Sequence, residues 1–358
     1  MTSQFISDLT VSRRSALGSL ASVMAAGAAE AAAPRKGKGA LDFSDPRDNL
    51  YAFGKITSGY GKPIIGGYHG IMYARIGNQR LIPLFGYAGT GCSMVEFDAE
   101  AGILRRKSRE TAYFTDLRTH EPMETWKNPF TEETVEVYHF YNPGLVGSIG
   151  LEMPRIVLGG GSDVPTLVNE GTAFPENDTG KVMFKMPFRQ VGDDDILLAW
   201  DYTHDYTNPV DPKGWPKASV GPRITPSEHF TYYVSKKELE NRDLPTVRAR
   251  AGFARQSNWW PWMKMGGSKY QDGILFARMF SHKGLPGTQD VHPKVLAYIE
   301  KHAPEYLEPP PNFTPRADRI DVTKAYVQDI PPETPGYNWT QKRKSDADKP
   351  KTGSGSRV

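Results

Sequence analysis

From Gly66 to His282 the chain keeps returning to one pattern, a run of alternating apolar and polar residues closed by turn chemistry. Such a pattern restricts it to antiparallel β structure, because side chains alternate faces along a strand. GGYHGIMYARI passes through GNQ, where Gly77 and Asn78 tolerate the positive φ of a tight turn, into RLIPLFGYAG. CSMVEF then meets DAEAG, ILRRKSRETAYFT meets DLRTHEP, METWKN meets PFTEE, and TVEVYHFYN ends at Pro143. Asp or Asn opens each break and caps the turn backbone with its side chain. KVMFKMPFRQV and DILLAWDYTHDY flank the acidic turn GDDD, and EHFTYYVS and GILFARMFSH alternate again. With 29 prolines and 35 glycines, turns must be frequent. About ten strands predict a mainly β fold, a large antiparallel lipocalin-like barrel or strongly bent sheet with a few short helices. One helix is expected at KKELEN, behind the capping box of Ser235 with Glu238. The other is expected behind Asp290 as N-cap, with Val291, Val295, Leu296 and Ile299 on one stripe.

The two ends read differently. Residues 1–33 have the form of a twin-arginine signal peptide, with Arg13 and Arg14 before an alanine-rich run and cleavage expected after Ala31. That run is too short to span a bilayer. Residues 34–48 read as a linker, 49–339 as a single β-rich domain and 340–358 as a disordered, charged tail. The expected location is therefore the periplasm, with the twin-arginine export machinery as a transient partner and no lasting membrane contact. A net charge of +3 spread over 358 residues offers no basic face for nucleic acid. The single cysteine, Cys92, excludes an intramolecular disulfide and reads as a buried thiol.

At DLRTHEPMETWKNPFTEETVEVYHF (residues 116–140) and NWWPWMKMGG (residues 258–267) the chain resembles the bacterial family called domain of unknown function 1838. Trp126, Lys127, Asn128 and Pro129 carry the most specific part of the resemblance. Its members often follow a twin-arginine leader, and the resemblance implies a domain over about residues 49–310. Where typical members have Thr-Gly-Glu in their turns, this chain has Thr119-His120-Glu121 and Thr131-Glu132-Glu133. The resemblance implies no activity, cofactor or catalytic residue.

Known catalytic signatures are missing from the sequence: no GxSxG elbow, HExxH, CxxC or phosphate loop, and LGGGSD at 158–163 lacks the lysine a phosphate loop needs. The densest polar constellation is WDYTHDYTNP, with Trp200, Asp201, His204 and Asp205. It reads as a turn, as an acid–base site in which a carboxylate orients His204, or as two or three metal ligands. His69 and Tyr73 share one strand face, and His139 shares another with Tyr141, so each is either a satisfied core residue or part of a semi-apolar cavity wall. His229, beside Glu228, is open to the same two readings.

RQSNWWPWMKMGG concentrates three of the seven tryptophans within four positions. Trp259 and Trp262 serve either as core or as the wall of a ligand pocket, with Arg255 and Lys264 available to an acidic head group; a membrane anchor is the third reading. The function expected from these residues is binding of an apolar small molecule, aromatic, terpenoid or lipid-like, without a cofactor. The alternative is a cofactor-independent isomerase, lyase or hydrolase using His204 with Asp201 or Asp205.

Overall fold

A computed structural model of the chain describes residues 39–154, 181–203, 206–312 and 322–338. The signal segment, the LGGGSD run, His204, Asp205 and the tail 340–358 lie outside the described residues. In chain order the strands are β1 (Ile64–Arg75), β2 (Ile82–Asp98), β3 (Ile103–Thr115), β4 (Thr125–Lys127), β5 (Thr134–Glu136), β6 (Phe140–Gly150), β7 (Glu152–Pro154) and β8 (Lys181–Met183). They continue as β9 (Phe188–Gln190), β10 (Asp195–Thr203), β11 (Tyr206–Thr207), β12 (Arg223–Ile224), β13 (Ser227–Ser235), β14 (Ala249–Asn258) and β15 (Ile274–Lys283). Nine of them form one sheet in the order β6-β3-β2-β1-β15-β14-β13-β10-β9, every pairing antiparallel. The predicted mainly β architecture is thus present as an open sheet: among the described residues no pairing joins its edge strands β6 and β9.

The register sorts side chains onto two faces. One face, here called inner, carries Met72, Phe85, Phe114, Ala277 and Met279 at one end. There they pack into a cluster with Trp126, Trp215, Trp259, Trp262 and Met263. At its other end the same face carries Val95, Phe97, Leu104, Ile196, Leu198, Trp200 and Val234, packed against Leu50, Tyr51, Phe53 and Ile56 of helix α1 (Pro46–Thr57). This helix begins inside the stretch that the sequence suggested as linker. Asp45 caps it by accepting from the Arg47 amide, and Pro46 supplies a ready-made first-turn φ.

Two buried lysines pin α1 to the sheet. Lys283 of β15 donates from Nζ to the carbonyls of Lys55 and Ser58, 2.8 Å each, satisfying acceptors that a helix end leaves open. Lys55 donates in turn to the carbonyls of Glu238, Leu239 and Asn241 around helix α2 (Lys236–Glu240). Ser235 caps α2 as its sequence suggested, accepting from the Glu238 amide at 3.2 Å.

The outer face is covered only in part. Helix α3 (Pro293–His302) lays Val295 and Ile299 on Ala88 and Tyr113. The cap of α3 is His292 and not Asp290, because Pro293 occupies the first turn while Asp290 accepts from the Leu285 amide. Over β13, β14 and β15 the outer face is open, with Tyr233 and Phe280 about half exposed. A last helix, α4 (Val322–Asp329), packs Val322, Tyr326 and Val327 into the tryptophan-rich cluster. No helix among the described residues is long and apolar enough to cross a membrane.

Candidate functional site

Between the two apolar clusters, the inner face changes character. Its floor is paved with small residues, Gly66, Gly70, Gly89, Gly91, Ala112, Ala251 and Ser281, which the register aligns across neighbouring strands. A Cβ placed on Gly91 would meet nothing nearer than the Arg109 carbonyl at 4.0 Å, so the space above it is open. Long polar side chains rise around this floor: Arg106 and Glu110 from β3, Tyr68 from β1, Tyr87 from β2, Glu228 and Tyr232 from β13, and Arg255 from β14. Six of the seven keep partial exposure, and only Glu228 is buried. They form a polar belt between the two apolar clusters.

Tyr68 crosses β2 above Gly89 to reach β3. Its hydroxyl donates to Glu110 Oε1 at 3.0 Å and lies 3.3 Å from the Thr111 carbonyl. Glycine is required beneath it, since a Cβ on Gly89 would stand 2.7 Å from the Tyr68 oxygen. Burial pushes the Glu110 carboxyl above the usual glutamate range, and the Tyr68 hydrogen bond opposes that rise. Tyr87 lies beside Tyr68 with ring centroids 5.9 Å apart, and burial raises both phenols.

The two arginines of the belt differ. Arg255 is paired with Glu228 at 2.9 Å. Arg106 makes no side-chain hydrogen bond or ion pair with the described residues, and its Nε is buried without a partner. Burial works against its charge, while Tyr232 and Glu110 favour it. Strands β3 and β13 stand five places apart in the sheet, about 24 Å if it were flat at ~4.8 Å per strand. Both nevertheless contribute to the one apolar cluster around α1, Leu104 from β3 and Val234 from β13.

Of the residues singled out in the sequence, Trp200 and Arg255 lie on the inner face. Trp200 is sandwiched between Phe230 (4.9 Å, 13°) and Tyr232 (5.3 Å, 2°), forming the aromatic wall beside α1. Trp259 and Trp262 are each 1% exposed and fill core at the far end. The Trp259 indole donates to the Tyr270 carbonyl at 2.9 Å, whereas Trp262 packs on Phe85, Phe114 and Trp126. Trp260, the third tryptophan of the stretch, is the one that touches the belt, 5.8 Å from Tyr87. Lys264 points elsewhere, bonded to Tyr326 and Glu333.

The remaining residues lie away from the cleft. His69 and Tyr73 do share a face, but it is the outer one, where His69 is exposed. His139 is buried; its Nδ1 accepts from the Phe114 amide at 3.2 Å, and burial pushes it down to about 4. Asp201 is on the outer face too, bonded at 2.7 Å to His229, whose Nε2 is 3.3 Å from Ser227 Oγ. Both partners are roughly half exposed, and surface pairs of this kind contribute about 0–1 kcal/mol. Among the described residues no three His, Cys, Asp or Glu converge as a metal site. A separate hollow of about 550 Å³ between Trp215, Ile330 and Tyr337 shares no residue with the belt.

The belt residues were within reach of the alternation rule. In β3, Leu104, Arg106, Ser108, Glu110, Ala112 and Phe114 share one face, so charges stand in the middle of an apolar stripe. Glu228 likewise shares its face with Phe230, Tyr232 and Val234.

No curated protein matches the chain. A family model described as "Protein of unknown function (DUF1838)" matches residues 61–324, a span that contains the whole nine-stranded sheet and its belt. The chain therefore belongs to the domain of unknown function 1838 family.

Proposed function

We propose that the cleft binds a small molecule with an apolar, aromatic-sized body and one acidic or carbonyl oxygen at its head. The observation that carries this reading is Arg106, whose Nε is buried without a partner among the described residues, set between two aromatic walls above a floor of glycine and alanine. An oxygen anion satisfies such a group bidentately, and the hydrophobic body adds burial against Phe230, Phe253 and Trp260. The head-group contact that the sequence offered to Arg255 and Lys264 passes in this reading to Arg106, since Arg255 is paired with Glu228 and Lys264 with Glu333.

The sheet rolls into a lipocalin-like cup around the ligand, and the protein works in the periplasm after export by the twin-arginine route; amino-terminal sequencing of the periplasmic form, expected to begin at Glu30+2, that is Ala32, checks the latter.

The binding test uses 2-naphthoate and calorimetry on the full chain. Wild-type protein should show one saturable site, and Arg106→Met should weaken it about 10- to 100-fold, the equivalent of losing a charge-assisted hydrogen bond of ~1.5–3 kcal/mol. Equal affinity in the two proteins, or no saturable site in the wild type, would refute the assignment.

A further inference from the structure

We propose that Glu110 is a catalytic base that moves a proton between carbons of the bound ligand, with Arg106 holding the ligand's carbonyl oxygen and Tyr68 positioning the carboxylate. The inference rests on the cleft being the ligand site. Glu110 has only one oxygen engaged: Tyr68 holds Oε1, and Oε2 has no hydrogen bond to the described residues. Its register partner across β2 is Gly91, above which the space is open, so the free oxygen stands beside room for a ligand. Arg106 lies on the same face of the same strand, four residues back. The two Cα atoms are about 13 Å apart at ~3.3 Å per residue, with Ser108 on the same face between them.

The chemistry balances without a co-reactant. The Glu110 carboxylate takes a proton from the carbon next to the carbonyl, or conjugated with it. The C–H electron pair becomes a C=C bond, and the carbonyl π pair moves onto oxygen, where the Arg106 guanidinium donates hydrogen bonds. The resulting carboxylic acid then returns the proton to the same carbon or to the far end of the conjugated system. Nothing is oxidised or reduced. A carboxyl raised by burial suits the task, because a base works best when its affinity for protons lies near the working pH.

Phenylacetone serves as the probe, since its benzylic CH₂ lies between an aromatic ring and a carbonyl. The full chain is incubated with it in D₂O, and loss of the benzylic proton signal is followed by NMR. Wild-type protein should exchange this position at least about 100-fold faster than Glu110→Gln. Saturation-transfer NMR should show that the Gln variant still binds the probe. The rate should rise with pH, with a midpoint above the usual glutamate range, and Tyr68→Phe should move that midpoint higher by removing a hydrogen bond that favours the carboxylate; a merely structural Glu110 would give no such profile. Exchange no faster than in buffer, or unchanged by Glu110→Gln, overturns the proposal, as does absence of saturation transfer to phenylacetone. None of these three outcomes affects the binding reading if 2-naphthoate still saturates the same preparation. Failure of 2-naphthoate to bind sinks both.

Discussion

Acid should unfold this protein through His139. The imidazole is 7% exposed and packed between Tyr113 (5.0 Å), Phe114 (5.9 Å) and Tyr298 (6.0 Å). Its Nδ1 accepts from the Phe114 amide, which fixes the neutral tautomer, and Nε2 is buried without a partner. Protonation in place would turn Nδ1 into a second donor facing a donor. Burial is the largest influence and brings the group from 6.5 to about 4, with Glu124 and the Met123 backbone acting in the opposite sense. The folded form thus binds its proton later than the unfolded chain does. Between pH 6.5 and 4 the unfolded state holds more protons, so stability is full above 6.5, falls as the pH drops through that window, and levels off below about 4. A shift of this size is equivalent to about 3 kcal/mol in total, of which ~2 kcal/mol falls between pH 7 and 5. His139→Gln keeps an acceptor for the Phe114 amide and cannot titrate. Urea unfolding of both proteins at pH 7, 6 and 5 should show the wild type losing about 2 kcal/mol relative to the variant. Parallel curves, with a difference constant across this range, would refute the argument from burial.

Two further outcomes follow from the packing. Trp259→Phe and Trp262→Phe remove the same atoms from equally buried sites, but only the Trp259 indole N–H has a partner, so Trp259→Phe should cost about 1 kcal/mol more in urea titrations followed by circular dichroism. Lys55→Met strands three carbonyls around α2 and should destabilise by about 2–4 kcal/mol at pH 7. Burial lowers Lys55 to about 8, so the unfolded chain holds the extra proton from there up to the usual lysine range, and the deficit of the Met variant should widen as pH rises through that window.

Period-2 patterning made the strands legible, since every run read as a strand in the first half contributes to the main sheet or to the β4–β5 hairpin. It also placed His69 with Tyr73 correctly on one face. What alternation cannot say is which of the two faces is inner, because that depends on where α1 and the loops from distant parts of the chain come to rest. Asp201 illustrates the gap: its partner among the described residues is His229, 28 residues away and set opposite it by the β10–β13 register. Helix α1 was hidden for a different reason. Its signals, Asp45 and Pro46, occur in a Gly- and charge-rich stretch whose composition reads as linker.

The tryptophan stretch shows how a local feature divides under long-range packing. β14 ends at Asn258, Pro261 starts a single 3-10 turn, and Lys264 closes it in the left-handed region at φ 54°. This sharp reversal points Trp259 and Trp262 into the core, where they close the far end of the cleft, and leaves Trp260 at the boundary with Tyr87 and Phe114. The stretch is therefore an end wall, and its polar complement is the Arg106–Glu110 side of β3. Arg255, just before the stretch, is neutralised by Glu228, so the positive charge of the belt is concentrated on Arg106. One arginine of the belt is thus paired, while the other has a buried Nε without a partner among the described residues. A hydrophobic residue in place of Arg106 would relieve its desolvation cost and remove its charge, so Arg106→Met should leave stability unchanged or raised while weakening the proposed head-group contact.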